Sequence, residues 1–367
     1  MRWSGEGTIM RYDLAIIGSG GAAFAAAITA RDAGASVVMV ERGTVGGACV
    51  NTGCVPSKAL LAAAEARHDA ASQRFPGIAT QAGPVDMAAL TGGKDDLVAA
   101  MRASKYVDLA ADYGWEILAG TARFSSGPDA PVLQVQRGEG GIATVEAGHY
   151  LVATGAAPWI PPISGLASAG YLTSATAMEL TELPNSMLVI GGNAVGLELA
   201  QLFARLGVSV TVAEALGRLA PFDEPEVSAA IEDVFEQESI GILTTATITS
   251  VAGDATARSV TIKTAGAPER ELACEQILVA AGRRPVTAGL NLDAAGVKTG
   301  GRGEIITDEL GRTANPRIWA AGDVTGGPQF VYVAAQGSPA AANALQDAGW
   351  DGRRRGPRSR LRADGSA

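Results

Sequence analysis

Tyr12-Asp-Leu-Ala-Ile-Ile17, followed by Gly18-Ser19-Gly20-Gly21-Ala22-Ala23, is the stretch that decides the fold. The apolar run has the length of a buried strand, and the glycines that end it let the chain turn tightly and bring bare backbone close to a ligand. The alanine-rich run that continues to about Ala33 reads as a helix. A second apolar run, Ser36 to Val40, ends in Glu41. An acid about twenty residues past the glycines is where a ribose hydroxyl needs an acceptor, so Gly18, Gly20, Ala23 and Glu41 form a βαβ dinucleotide signature. Taken alone, G-x-G-x-x-A is a weak pattern that ordinary tight turns also satisfy. Specificity comes from the strand before it, the helix after it and the acid beyond.

The same grammar returns in Met187 to Ile190, Gly191-Gly192-Asn193-Ala194-Val195-Gly196, a helix through Leu206, and Val208 to Val212 ending at Ala213-Glu214. Two nucleotides are therefore expected, the second on Gly191, Gly196 and Glu214. Asn193 replaces the second motif glycine; it tolerates unusual backbone angles but puts a side chain where a pyrophosphate approaches. Glu214 suits a ribose 2′-hydroxyl and would repel a 2′-phosphate about 4 Å away by a few kcal/mol, which favours NADH. Arg218 lies close enough along the chain to offset that repulsion.

Between the two units, residues 59–73 and 95–113 look helical, with strand-like runs near Glu116 to Leu118 and Val132 to Val135. Tyr150-Leu-Val-Ala-Thr-Gly155 and Gln276-Ile-Leu-Val-Ala-Ala-Gly282 are buried-strand runs that end in glycine, as suits chain crossovers between domains. The expected fold class is α/β, two Rossmann-like dinucleotide-binding domains with the second inserted in the first. Residues 10–160 and 283–345 would form one domain and residues 161–282 the other. Residues 349–367 hold six arginines between 353 and 362 and no apolar periodicity. In an acidic chain they read as a disordered or aberrant terminus rather than a nucleic-acid-binding arm.

A formal charge of −9 argues against nucleic acid or an anionic membrane as a partner. No run approaches the roughly 18 apolar residues of a membrane span, and the N-terminus shows no secretory signal, so the expected location is the cytoplasm. The 47 glycines fit a fold that uses many tight turns and close backbone approaches to ligands. Three cysteines are too few for a secreted disulfide framework.

Two of those cysteines sit in the most specific segment of the chain, Gly46-Gly47-Ala48-Cys49-Val50-Asn51-Thr52-Gly53-Cys54-Val55-Pro56-Ser57-Lys58. Separated by four residues, Cys49 and Cys54 can close a small disulfide loop, with Gly53 and Pro56 shaping a turn into a helix that starts near Val55. Amide groups at a helix N-terminus stabilise a thiolate beside them. The ordinary alternatives are a structural pair or a metal half-site. Only Cys274, His68 and His149 could complete such a site, and neither histidine lies in a motif.

This segment resembles the redox helix of the pyridine nucleotide-disulfide oxidoreductases, the family of glutathione reductase, lipoamide dehydrogenase and mercuric reductase. The resemblance runs from about residue 11 to 345. It implies FAD and NAD(P)H as cofactors, Cys54 as the flavin-proximal thiolate and Cys49 as the outer, substrate-facing one. It also implies Lys58 beside the flavin ring, paired with Glu198. Thr154-Gly155 resembles the family's mid-chain ATG element, and Ala321-Gly322-Asp323 its second flavin motif, whose aspartate approaches the ribityl chain. Within the family, Cys49-Val-Asn, Ala156-Ala-Pro-Trp-Ile-Pro-Pro-Ile163 and Pro328-Gln-Phe-Val-Tyr-Val-Ala-Ala335 resemble the mercuric reductases most. The implied reaction is reduction of Hg(II), held as substrate by Cys49 and Cys54, to elemental mercury, and soft thiolates suit a soft cation. The family is homodimeric and continues into a dimerisation domain that this chain lacks, so the resemblance implies a truncated, poorly active product. Dihydrolipoyl dehydrogenase and a catalytically silent FAD-binding protein are the alternatives.

Overall fold

The computed structural model describes residues 9–73, 75–138, 140–254, 256–334 and 337–347. The arginine-rich segment lies outside them. Packing divides the described residues into two compact units, one within residues 9–47, 102–156 and 284–347 and the other within residues 48–101 and 157–283.

In the first unit, β1 (Ile9–Ile17), β2 (Val37–Glu41), β3 (Glu116–Ala119), β4 (Thr121–Phe124), β5 (Leu133–Gln136) and β6 (Ile142–Val152) form a sheet of order β3-β2-β1-β6-β5-β4. The β3-β2-β1-β6 part is parallel and β4 and β5 extend it antiparallel. The strand Ile318–Ala320 runs parallel to the end of β6. Leu14, Ala15 and Ile16 are fully buried, because a parallel sheet is covered on both faces and its strands become continuous apolar runs. Helix α1 (Gly21–Asp32) covers one face through Ala22, Ala23, Ala26, Ala27 and Ala30. Small residues let helices approach closely: a Cβ on Gly337, at the start of the helix Gly337–Asp347, would sit 2.0 Å from the Ala22 carbonyl oxygen.

The second unit holds a four-stranded parallel sheet of Gly241–Leu243, Ser209–Ala213, Ser186–Ile190 and Gln276–Val279, in that spatial order. A three-stranded antiparallel sheet of Ala246–Gly253, Arg258–Thr264 and Arg270–Cys274 accompanies it. The grouping differs from the expected domain boundaries: the crossovers fall at 156/157 and 283/284, and residues 48–101 pack with the second glycine motif. Leu60 and Ala64 of α3 (Cys54–Ser72), together with Met87, share a core with Leu199, Leu202 and Phe203 of the helix Ala194–Leu206. Sequence order alone does not reveal which sheet an amphipathic helix will cover. Among the described residues no helix is long and apolar enough to cross a membrane.

The two glycine turns are built alike. Gly18 N–H donates to Val40 O at 2.8 Å and Ala153 N–H to Ile17 O at 2.9 Å; Gly191 N–H donates to Ala213 O at 2.9 Å and Ala280 N–H to Ile190 O at 2.8 Å. Gly18 has φ +102° and a Cβ there would lie 2.4 Å from Ala153 O, while Gly191 has φ +112° and its Cβ would lie 2.5 Å from Ala280 O. Both conformation and space demand glycine. We expect Gly18→Ala and Gly191→Ala each to lower the unfolding free energy by roughly 1–3 kcal/mol in urea titrations. Gly92 lies inside the helix Met87–Arg102 with open space around a Cβ, so Gly92→Ala should instead stabilise by about 0.5–1 kcal/mol. An unchanged midpoint in all three would contradict this account.

Candidate active site

Cys49 lies in the short helix α2 (Gly47–Thr52) and Cys54 is the first residue of α3. That is one residue earlier than expected, so the Cys54 sulfur belongs to the helix start itself. The junction depends on Gly53: a Cβ there would stand 2.9 Å from Ala48 O and 3.4 Å from the Cys49 Cα. A side chain would force apart the two helices that bring the sulfurs together. Pro56 falls in the first turn of α3, where its missing N–H has no intrahelical partner to lose, and Ser57 N–H closes the first helical bond to Gly53 O at 3.0 Å.

Both cysteines are thiols here, Cys49 half-buried and Cys54 exposed. They are in hydrogen-bonding contact. Burial first, and then the hydrogen bond and charge of the Cys54 side chain, push the Cys49 thiol up to about 11, against the lowering effect of a backbone hydrogen bond from Cys54. Lys58, one turn beyond Cys54 on the same face of α3, pairs its Nζ with Glu198 Oε2 of the helix Ala194–Leu206. Such a partly exposed pair contributes at most about 1 kcal/mol to stability, so what it fixes is the position of the ammonium group. Among the described residues no group of three or more His, Cys, Asp and Glu side chains could hold a metal ion. The Cys49/Cys54 pair is thus not part of a larger resident metal centre within the described residues.

The nucleotide-type residues gather at the two glycine turns. In the first unit, Glu41 Oε2 accepts from Ser19 Oγ at 2.6 Å and Glu41 Oε1 from Gly43 N–H at 2.7 Å. A cavity beside them is lined by Gly18, Glu41, Gly120, Thr154 and Gly289. Ala23 is fully buried under the turn. Thr154 Oγ1 donates to Val286 O at 2.6 Å and Gly155 takes φ +68°. Gly322, with φ +79°, leads into the 3-10 turn Asp323–Thr325, and Ala321 N–H ties that segment to Val152 O at 3.1 Å. In the second unit, Glu214 Oε2 accepts from Gly192 N–H at 2.7 Å and Oε1 from Leu216 N–H at 2.8 Å. A Cβ on Gly196 would meet Gly191 O at 2.0 Å. Asn193 has an ordinary extended backbone, not an unusual one, and its Oδ1 caps the helix by accepting from Ala194 N–H at 2.8 Å. Arg218 Nη2 donates to the carbonyls of Pro221 and Asp223 at 3.1 and 2.5 Å.

Two contributors escape sequence reasoning. Ser19 is 1% exposed and joins the first turn to its acid, accepting also from Gly46 N–H at 3.1 Å. Gly47, with φ +67°, presses its backbone on Gly20, where a Cβ would come within 2.5 Å of the Gly20 Cα. The doubled glycine Gly46-Gly47 is the one available signal for the second contact; a serine at a variable motif position gives none for the first.

A model of the family described as "Pyridine nucleotide-disulphide oxidoreductase" matches residues 12–338. A mercuric reductase of Streptomyces lividans is 58% identical over 339 residues, covering 92% of this chain and 70% of that protein. A mercuric reductase of Staphylococcus aureus is 47% identical over 91% of this chain and 60% of its own length. Among solved structures, the HOCl-induced flavoprotein disulfide reductase RclA from Escherichia coli, as its Cu(II) complex, superposes with a TM-score of 0.79 at 28% identity. That match covers 94% of this chain and 72% of RclA. With the family model matching residues 12–338 and a relative 58% identical over 92% of the chain, the chain belongs to the pyridine nucleotide-disulphide oxidoreductase family.

Proposed function

We propose that this chain is the electron-transfer body of an NAD(P)H- and FAD-dependent mercury(II) reductase, with Cys49 and Cys54 as its redox-active, substrate-binding pair. One observation carries the reading: the fold spends Gly53 and a broken helix on bringing two thiols into contact at a helix N-terminus. The 58% identity to a mercuric reductase supports Hg(II) as the substrate, although the chain spans only 60% of the Staphylococcus aureus relative's length.

The residues present fit the two dinucleotides. Each turn presents bare backbone at a glycine that tolerates no Cβ, and each ends in a carboxylate held at a strand end. FAD would rest on Gly18, Gly20, Ala23, Glu41, Thr154, Gly155, Gly322 and Asp323, and NAD(P)H on Gly191, Gly196 and Glu214. Bound there, a flavin supplies two-electron transfer between a reduced nicotinamide and sulfur. Lys58, held by Glu198, provides a fixed positive charge one turn from Cys54.

The pair's own chemistry follows from its protonation. With its thiol pushed up to about 11, Cys49 keeps its proton across the neutral range. Hg(II) binds thiolate, so capture by both sulfurs must displace that proton. The bis-thiolate complex then takes up two electrons and releases elemental mercury. A reducing cytoplasm, where disulfides do not persist, suits a pair that must be regenerated as thiols.

Anaerobic addition of HgCl2 to the reduced chain at pH 7 should release at least one proton per bound Hg(II), read with a pH indicator. Cys49→Ala should lower that release and weaken the 1:1 complex by at least roughly a hundredfold. Proton-neutral binding would contradict the Cys49 assignment. Given NADH or NADPH, the FAD-loaded chain should gain two titratable thiols and convert Hg(II) to volatile mercury, with Cys54→Ala abolishing both. Turnover of lipoamide with none of Hg(II) would overturn the substrate assignment.

A further inference from the structure

We propose that the groove between the helices Ala194–Leu206 and Pro225–Gln237 is a docking surface for an amphipathic helix of a protein partner, one that carries Lys or Arg beside an apolar stripe. The groove has a volume of about 450 Å³, with Leu197 and Gln201 of one helix facing Val227, Ala230, Ile231 and Val234 of the other. These last four stand at i, i+3, i+4 and i+7, so they form one row about 10 Å long.

Anchoring the helix Pro225–Gln237 does not require that row. The helix is held one face further round: Phe235 is buried in the core that holds Leu199 and Leu202, Ser228 is buried as well, and Glu232 Oε1 accepts from Leu219 N–H at 3.1 Å. Val227 and Val234 take no part in that core and are 42% and 40% exposed. Single exposed apolar residues are common on any surface, but these line a shared concavity. Its polar members are turned to their own chain: Glu198 holds Lys58, and Gln201 Nε2 donates to Glu238 Oε1 at 3.0 Å. The walls offered to an occupant are therefore largely hydrocarbon.

Charge selects the occupant. Glu226 and Asp233 each precede a groove valine and lie seven residues apart, on the flank of the helix away from Ser228 and Phe235. Both are exposed, and among the described residues neither enters an ion pair. The helix carries Glu226, Glu232, Asp233 and Glu236 and no Lys or Arg. A second copy that presented the same helix would set like charges face to face. A basic helix laid in the groove instead meets the apolar row with its stripe and the two acids with its flank.

Fluorescence anisotropy with the full chain tests this. The probe is a labelled helical peptide of about fourteen residues, with leucines at i, i+3, i+4 and i+7 and lysines elsewhere. Val234→Asp should weaken its binding at least roughly tenfold, and Glu226→Lys combined with Asp233→Lys at least roughly fivefold. The peptide with glutamates in place of lysines should not bind, and a shuffled peptide of unchanged composition should bind at least roughly tenfold more weakly. Thermal melts check the fold of each variant; should Val234→Asp unfold, Val227→Asp replaces it, and the shuffled peptide still decides on the unsubstituted chain. Equal binding of the shuffled peptide would reduce the contact to charge attraction on an acidic chain and overturn the inference. No binding of the leucine-lysine peptide, or binding unmoved by the valine substitutions, would overturn it too. So would self-association in sedimentation velocity that Val234→Asp abolishes, because the groove would then belong to a second copy.

Discussion

Everything in this fold hangs on glycines placed where a strand must stop, turn back and start a helix within van der Waals reach of the neighbouring strand. At Gly18 and Gly191 the backbone is left-handed and the missing Cβ is replaced by a carbonyl oxygen of the adjacent strand, that of Ala153 or Ala280. Each contact locks the turn to its sheet. The α1 and Ala194–Leu206 helices then start at a fixed point just beyond the strand ends, the end of an open α/β sheet at which ligands bind.

The same economy governs the cysteines. Gly53 lets α2 and α3 nearly touch, so two sulfurs separated by four residues in sequence become hydrogen-bonding neighbours. Proximity then sets the chemistry: burial, and then the neighbouring Cys54 sulfur, raise the cost of ionising Cys49, which holds its proton. A two-thiol site of this kind suits a soft, two-coordinate cation and a two-electron disulfide exchange equally well. The choice between these substrates therefore comes from the relatives and not from the pair itself.

Much of this was legible from residue order. The strand-turn-helix units at residues 12–33 and 187–206, the acids Glu41 and Glu214 and the cysteine spacing all announce themselves, because each is a local pattern with a local cause. Less legible were features made by tertiary contact. In the three-stranded sheet of residues 246–274, Arg258–Thr264 does alternate buried Arg258, Val260 and Ile262 with more exposed neighbours, but its pairing with Ala246–Gly253 passes through an irregularity between Ile248 and Ser250 that residue order does not announce. The packing of α3 with the second glycine motif depends on which sheet Leu60 and Ala64 meet. Ser19 looks like a turn residue until its Oγ is seen joining Glu41 to Gly46. Arg218 looked available to a phosphate by its distance along the chain; only the structure shows its guanidinium spent on two carbonyls.

The central claim is that Cys49 and Cys54 form one redox unit while Cys274, buried in the core of the second unit, stays outside it. Peptide mapping of the air-oxidised chain by mass spectrometry, with alkylation in denaturant, tests this most directly. The account predicts an internal Cys49–Cys54 disulfide and an alkylated Cys274. Alkylation of both Cys49 and Cys54 in the oxidised chain, or a bridge that includes Cys274, would contradict it.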